Sequence, residues 1–252
     1  MIEFEKRGAV GIVTLNRPDA RNAINAELEQ ALFDALEAID ADRDLRAGVI
    51  AANGPVFCSG ADLKQVNASG NPTGADRPKR ETIVSRTHVK PLVAAVQGPA
   101  FGGGLEIVLA CDMVVAAHDA KFALSEVRWG LMASGGGMFR LPRRLPRNVA
   151  NQMLFTGGTI SAERAWQLGL VNELTDSAEV RGRAVAMAEA VAANGPLAVS
   201  LTRRVVEEAA LLDERECWEL SRRLVARNFA SADAKEGPRA FAEKRVPRWT
   251  GA

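Results

Sequence analysis

Short apolar runs alternate with amphipathic stretches over the first part of the chain. Runs of strand length cover residues 2–5, 10–15, 48–54, 93–96, 113–117 and 121–124. After the second run, apolar residues recur at helical spacing from Leu28 to Ile39, behind the favourable N-cap Asn25. This spacing predicts an amphipathic helix that ends near Ala41. A further helix is predicted from the cap Ser161 to about residue 168.

From residue 178 onward the hydrophobic pattern is helical. It predicts helices over residues 178–194, 196–211, 214–229 and 233–243. Their apolar positions include Leu197, Leu201, Val205, Leu220 and Leu224. Strands and helices therefore alternate first, and helices alone follow. This order predicts an α/β fold with a core over residues 1–177 and a helical C-terminal region over residues 178–252.

A glycine-rich segment connects the strand at residues 93–96 to the next helix. Residues 102–104 are all glycine, so they allow a ligand to approach the backbone and leave the first helical amides unpaired. Such amides attract developing negative charge. Glu106 follows Gly103 by three residues, which places the Gly103 amide and the Glu106 carboxylate on roughly one helix face. The two groups are therefore placed to share a ligand.

Two acidic residues are the candidates for proton transfer. Glu106 lies in an apolar helix, where a carboxylate is costly unless it is paired, protonated or beside a cavity. Glu126 follows 126 − 106 = 20 residues later, beyond the run at 121–124. Taken singly, Glu106 is also explained as a buried acid satisfied by backbone or arginine, and Glu126 as a surface residue beside Arg128. Taken together, they predict general acid-base chemistry on a carbonyl compound.

A second turn of small residues precedes this segment. The sequence CSGADLK predicts a helix that begins at Leu63 behind the cap Asp62, with free backbone amides near Ala61. Residues 65–86 are polar and contain glycine and proline, which predicts an excursion that serves either as a lid or as a plain loop. Arg17 and Arg21, in the loop before the first helix, are either phosphate ligands or solvated charges.

The glycines at residues 135–137 predict the start of another helix. Four arginines follow closely, at positions 140, 143, 144 and 147. This cluster is either a polyanion site or, as we favour, a solvated or subunit-contacting face.

Composition excludes several classes of protein. The 252 residues include 32 basic and 31 acidic side chains, so the net charge of +1 does not favour nucleic acid or an anionic membrane as a partner. The three cysteines are far apart and lack histidines at metal-binding spacing, which predicts reduced thiols and no metal site. No secretory signal and no membrane-spanning run is apparent, which predicts a cytoplasmic protein.

The available acid-base groups are few. The sequence contains two histidines and no tyrosine, so proton transfer near neutral pH falls mainly on carboxylates. The usual motifs of serine hydrolases, P-loop enzymes and nicotinamide dehydrogenases are absent from the sequence. Both observations make Glu106 and Glu126 stronger candidates for proton transfer.

Several motifs together resemble the crotonase superfamily, the enoyl-CoA hydratases and isomerases. They are NRPDARNAIN, CSGADLK, PLVAAVQGPAFGGGLEIVLACDMVVA, KFALSEVRWGL, FRLPRRLP and EGPRAFAEKRVPRWTG. The resemblance implies a spiral of ββα repeats with a helical C-terminal trimerisation region, assembled as a homotrimer or as a hexamer of two trimers. It also implies an acyl-CoA substrate, a place in fatty acid metabolism, and no metal or redox cofactor.

The resemblance also assigns roles to particular residues. It implies that the amides of Ala61 and Gly103 form an oxyanion hole and that Glu106 and Glu126 are the two catalytic glutamates. The residues that it implies contact CoA are Ala61, Asp62, Leu63, Lys64, Phe241 and Lys244. Gly103, as an oxyanion-hole donor, and Arg21, as a candidate phosphate ligand, complete the predicted acyl-CoA contacts. The loop ASGGGMFRLP departs from the straight-chain hydratases and is more similar to carnitinyl-CoA dehydratases.

These features predict a hydro-lyase that adds or removes water across the 2,3 bond of an acyl-CoA. One alternative is an isomerase, or a specialised dehydratase of the carnitinyl-CoA type. The alternative from another class is a non-catalytic acyl-CoA-binding or RNA-binding protein of the same fold, which the arginine cluster alone supports.

Overall fold

The computed structural model of the chain describes residues 1–62, 64, 84–85 and 88–251. Most of the predicted excursion over residues 65–86 lies outside these residues, as does Leu63.

Nine strands are present in the described residues. They are β1 (Ile2–Arg7), β2 (Val10–Leu15), β3 (Ala47–Ala52), β4 (Leu92–Val96), β5 (Ala100–Phe101), β6 (Met113–Ala117), β7 (Lys121–Ala123), β8 (Thr159–Ser161) and β9 (Glu173–Thr175). All residues of β2 and β4 are buried, as expected for central strands of a largely parallel sheet.

The strands form two sheets. The larger has six strands in the order β1-β2-β3-β4-β6-β9, in which the β1–β2 pair is antiparallel and the other pairs are parallel. The smaller has three strands in the order β5-β7-β8. The two predicted runs at 113–117 and 121–124 are both strands, but β6 and β7 belong to different sheets and do not pair.

The helices of the described residues follow the predicted order closely. They are α1 (Ala26–Ala41), α2 (Gly103–Ala110), α3 (Gly137–Arg144), α4 (Arg147–Thr156), α5 (Ala162–Gln167), α6 (Val180–Ala192), α7 (Pro196–Ala209), α8 (Glu214–Phe229) and α9 (Asp233–Ala242). The Asn25 side chain accepts a hydrogen bond from the Leu28 amide, and Ser161 caps α5 in the same way. Both predicted caps are therefore confirmed.

Consecutive elements alternate between the two sheets. β4 lies in the larger sheet and β5 in the smaller, and α2 follows; β6 and β7 repeat this placement before a 3₁₀ helix over Glu126–Trp129. This arrangement is the predicted spiral of strand-strand-helix units. It brings the start of α2 and the end of β7 together at the smaller sheet, where β5 and β7 are parallel neighbours.

The C-terminal helices divide between two hydrophobic clusters. α6 packs against β2, β3, β4 and β6, and its Val180, Ala184 and Ala188 belong to the main core. Leu201, Leu220 and Leu224 form a second cluster between α7 and α8, with Leu197 and Val205 against it. The predicted apolar positions of these helices are therefore confirmed. The division at residue 177 stays a prediction.

No single helix among the described residues is long and apolar enough to cross a bilayer. The pair α6 and α7, which is bent by 106°, meets the length and composition requirements only when both helices are taken together.

Candidate active site

The carboxylate of Glu106 rests against the glycine run at residues 135–137. Glu106 lies in the first turn of α2 and is 6% exposed. Its Oε1 accepts a 2.9 Å hydrogen bond from the Gly137 amide, at the start of α3. A Cβ on Gly135 would lie 2.5 Å from Glu106 Oε2. The backbone of this run therefore fixes the position of the carboxylate.

Glu126 faces the same site from the other side. It begins the 3₁₀ helix after β7 and is partly buried. A Cβ on Gly102 would lie 3.2 Å from Glu126 Oε1, so the carboxylate faces the N-terminus of α2. Within the described part of the chain, Glu126 Oε2 is buried without a hydrogen-bond partner. The interpretation of Glu126 as an ordinary surface residue beside Arg128 is therefore wrong.

The surroundings favour the protonated form of both carboxyl groups. Burial raises the pKa of Glu106, and the negative charge of Glu126 raises it further. The hydrogen bond from Gly137 and the charge of Arg140 oppose this shift in the pKa of Glu106. Burial also raises the pKa of Glu126. Two adjacent acids with raised pKa values are suited to exchange protons with a ligand at higher pH than ordinary carboxyl groups.

The amides of Ala61 and Gly103 converge beside these acids. A Cβ on Gly60 would lie 3.4 Å from the Gly103 nitrogen, and a Cβ on Gly103 would lie 3.9 Å from the Ala61 nitrogen. Gly60 has φ = +96°, a conformation that favours glycine. Over the described ranges of the chain, no acceptor takes the hydrogen of either amide. Two free donors thus lie close together at the N-terminus of α2.

An ion pair holds the loop that carries Ala61. Arg17 Nη1 donates a 2.7 Å hydrogen bond to Asp62 Oδ2, and the Arg17 amide donates to the Asn22 side chain. The interpretation of Arg17 as a solvated loop charge is therefore wrong. Arg21 is exposed, and its carbonyl accepts a hydrogen bond from the Ser59 amide. Arg21 therefore lies beside the CSGADLK turn, and its role as a phosphate ligand stays a prediction.

The arginine cluster after the glycine run does not form one surface. Arg140 is close to the Gly135 carbonyl, at 3.4 Å, and Arg144 donates a 2.8 Å hydrogen bond to the Cys111 carbonyl. Arg143 is exposed and lies over the Phe139 ring. Two of the four arginines thus contact backbone carbonyls, and the favoured interpretation of the cluster as a solvated or subunit-contacting face does not hold for Arg140 and Arg144.

The other residues assigned to CoA are spread over two regions. Asp62 Oδ1 accepts a 3.2 Å hydrogen bond from the amide of Lys64, an exposed residue. Leu63 lies outside the described residues. Phe241 is 87% exposed near the end of α9, which packs against α8, and Lys244 follows with φ = +53°. The structure thus places Asp62 and Lys64 near the convergent amides and places Phe241 and Lys244 in the C-terminal helical region.

Across the described residues, no group of three or more His, Cys, Asp or Glu side chains is placed to hold a metal ion. Burial raises the pKa of the Cys58 thiol, which lies near the two amides, to about 12.

The sequence model of the enoyl-CoA hydratase/isomerase family matches residues 5–252. The enoyl-CoA hydratase EchA19 of Mycobacterium tuberculosis H37Rv is 39% identical over 251 residues, which cover 97% of this chain and 94% of that protein. The carnitinyl-CoA dehydratase of Proteus mirabilis is 37% identical over 259 aligned positions, which cover 99% and 98% of the two chains.

Solved structures show the same similarity at the level of the fold. The crystal structure of an enoyl-CoA hydratase from Mycobacterium tuberculosis H37Rv superposes with a TM-score of 0.94 at 41% identity, covering 100% of this chain and 99% of that one. An enoyl-CoA hydratase from Bacillus anthracis superposes with a TM-score of 0.93 at 30% identity, with 100% and 99% covered. The chain therefore belongs to the enoyl-CoA hydratase/isomerase family, the crotonase superfamily that its motifs resemble.

Proposed function

We propose that the protein is a hydro-lyase that adds water to, or removes it from, the 2,3 bond of an acyl-CoA thioester. The observation that carries this proposal is the pairing of two glutamates with raised pKa values and two free amides at one helix N-terminus. In the cell it would act in the cytoplasm and in fatty acid metabolism, with CoA entering only as part of the substrate and with no metal or redox cofactor.

The two amides supply the electrostatic part of the mechanism. Addition of water at C3 places negative charge on the thioester oxygen as an enolate forms. The amides of Ala61 and Gly103 are close enough to bind that one oxygen, and the positive end of α2 adds to their effect. Because both donors belong to the backbone, little reorganisation is needed during the reaction.

The two glutamates supply the proton transfers. In the hydration direction, Glu106 orients water and takes a proton from it while the water oxygen bonds to C3. Glu126 delivers a proton to C2, and the pair of electrons from the former double bond forms the new C–H bond. In dehydration the same steps run in reverse, so each glutamate exchanges its role as acid or base.

A panel of 2-enoyl-CoA thioesters tests the proposal. Hydration removes the conjugated enoyl chromophore, so absorbance should fall when wild-type protein is added. Isomerase activity alone would also remove this conjugation, but its product would contain no added water. RNA retention that depends on salt, together with no turnover of any thioester, would favour the non-catalytic alternative.

The pH profile is a second test. We expect kcat/KM to follow a bell, because one glutamate must be ionised and the other protonated. On the acidic limb, activity is lost when the glutamate that acts as base becomes protonated. Because burial raises both pKa values, this loss should begin at a higher pH than it would for ordinary carboxyl groups. On the alkaline limb, activity is lost when the glutamate that acts as acid becomes deprotonated. Its raised pKa should also move this limb to higher pH. Initial rates across pH measure both limbs, and a profile that is flat from acidic to neutral pH would contradict this assignment.

Gly135→Ala tests whether the backbone of residues 135–137 positions the Glu106 carboxylate. The added Cβ would lie 2.5 Å from Glu106 Oε2, so the carboxylate must move, and we expect kcat to fall by roughly tenfold to a hundredfold. Gly182→Ala is the matched control, because no atom lies within 4 Å of its added Cβ and alanine favours the helical conformation of α6. Equal activity of the two variants would show that catalysis by Glu106 does not depend on its contact with Gly135.

Assembly is also part of the proposal. Trp218, Val225 and Phe229 on α8 and Phe241 on α9 are exposed apolar residues, which favours burial in a homotrimer or in a hexamer of two trimers. Light scattering of dilute protein should give three or six times the mass of one chain. A monomer would remove the possibility that Phe241 or Lys244 completes a neighbouring CoA site.

A further inference from the structure

A cleft of about 680 Å³ opens beside Glu126. Most of its lining is apolar, with Glu126 at one part of the wall and the side chains of Arg143, Arg147 and Asn151 as its other polar groups in the described chain. Cavities of this size hold drug-sized ligands. A four-carbon acyl group would occupy only a small part of it.

Two helices of the cleft wall, α3 and α4, each have one end beside the glutamates. α3 begins at Gly137, whose amide binds Glu106, and Leu124 of the cleft wall lies against Gly137. α4 ends beside the 3₁₀ helix of Glu126, where Arg128 Nε donates to the Thr156 carbonyl. The near end of the cleft therefore lies at Glu126 and beside Gly137, whose amide binds Glu106.

The arginines lie at the opposite end, where α3 joins α4. Arg143 is six residues beyond Gly137, which corresponds to about 9 Å along a helix. Arg147, at the start of α4, is eight residues before Phe155, or about 12 Å. Arg147, Asn151 and Phe155 are spaced by four residues and therefore share one face of α4.

The walls between these two ends are apolar. Met132 is 66% exposed and Phe155 is 74% exposed although both line the cleft, and Met138, Phe139 and Leu154 contribute further apolar surface. An apolar chain that enters beside Glu126 would cover this surface. Its distal end would then reach two guanidinium groups, which favour an anion and disfavour a cation.

We propose that this cleft binds the acyl group of the substrate beyond C3 and selects a long apolar chain that ends in a carboxylate. This inference rests on the proposed function for the position of the reacting carbons. It assigns Arg143 and Arg147 as specificity-determining residues. A short acyl group that ends in a trimethylammonium is disfavoured by the same charges.

Three thioesters separate these contributions to specificity: crotonyl-CoA, 2-dodecenoyl-CoA and the ω-carboxyl analogue of 2-dodecenoyl-CoA. Each methylene that is fully buried in the cleft should increase kcat/KM by up to about fourfold, so even partial burial of the additional methylenes should make dodecenoyl-CoA exceed crotonyl-CoA by well over tenfold. The ω-carboxyl analogue should exceed dodecenoyl-CoA by about twofold to fivefold, because Arg143 and Arg147 are exposed and a solvated ion pair contributes modestly to binding.

The variants Arg143→Gln, Arg147→Gln and the double variant should remove the ω-carboxyl preference, mainly through KM, so that the ω-carboxyl analogue and dodecenoyl-CoA become equally good substrates. Arg164→Gln, which changes an exposed arginine of α5 outside the cleft, is the matched control. Melting curves verify the fold of each variant. Similar kcat/KM for the short and long chains, or a best substrate that ends in a trimethylammonium, would overturn the inference.

A binding measurement keeps this test separate from the proposed reaction. Calorimetry measures the affinities of butyryl-CoA, dodecanoyl-CoA and the ω-carboxyl form of dodecanoyl-CoA. Because these thioesters are saturated, they bind in the cleft without being hydrated. The same order of affinities, lost in the arginine variants, supports the cleft even if no hydration is found. Equal affinities together with normal hydration of crotonyl-CoA would overturn the cleft inference and leave the hydratase proposal intact.

Discussion

Replacing Glu106 or Glu126 with glutamine is expected to lower hydration of a 2-enoyl-CoA by about 10²- to 10⁴-fold. Glutamine preserves the shape of each side chain, but it cannot exchange a proton with substrate. At position 106 it can still accept the hydrogen bond from Gly137. The loss should therefore appear in kcat, with the affinity for a saturated acyl-CoA retained. Stopped-flow absorbance and calorimetry measure the two quantities separately.

The comparison between the two glutamine variants is informative in itself. Syn addition of water needs one carboxylate to take a proton from water and another acid to deliver a proton to C2. Movement of a double bond needs only one base that returns the same proton. Normal hydration in Glu106→Gln, with loss only in Glu126→Gln, would contradict the two-carboxylate mechanism. Glu163→Gln on the exposed face of α5 is the control for a neutral glutamate substitution.

Replacing Gly103 with proline is expected to lower turnover by about 10²- to 10³-fold, which is typical when one oxyanion-hole donor is removed. Gly103 is the first residue of α2, a position that accommodates proline because its amide has no partner within the helix. The substitution therefore removes the donor and allows the helix to remain.

Gly103→Ala provides the control for side-chain volume. A Cβ at this position would lie 2.9 Å from the flexible end of Ile24 in either variant, but alanine retains the amide hydrogen. We expect the alanine variant to be clearly more active than the proline variant at equal melting temperature. Equal rates would show that the Gly103 amide does not stabilise the transition state.

Local patterns were sufficient to predict most of the secondary structure. The caps Asn25 and Ser161 and the four C-terminal helices all follow from hydrogen-bonding side chains and apolar spacing within one element. The short strands β5, β8 and β9 were not predicted. They contain only two or three residues each, which is too few to establish a period of two.

Contacts between distant parts of the chain could not be predicted from these patterns. The Gly137 amide reaches Glu106 across 31 residues, and Arg17 reaches Asp62 across 45. The glycine run at 135–137 predicted a helix start, but periodicity does not specify which side chain lies against it. The assignment of β6 and β7 to different sheets has the same cause, because a short apolar run carries no information about its partner strand.

The site was predictable to the extent that its groups share one local segment. The three-residue spacing of Gly103 and Glu106 placed an amide and an acid on one helix face, and both lie at the start of α2. The position of Glu126 required the fold, because a residue just past a strand can face either solvent or the interior. Because β7 pairs in parallel with β5, Glu126, just past the end of β7, lies beside Gly102, just past the end of β5.

Incorporation of labelled oxygen tests the central claim most directly. Wild-type protein, a 2-enoyl-CoA and ¹⁸O-labelled water should give a 3-hydroxyacyl-CoA with one labelled oxygen at C3, as measured by mass spectrometry of the product. Glu106→Gln and Glu126→Gln, at equal protein concentration, should give almost none. A product with a shifted double bond and no labelled oxygen would contradict the hydro-lyase account and assign the site to isomerisation.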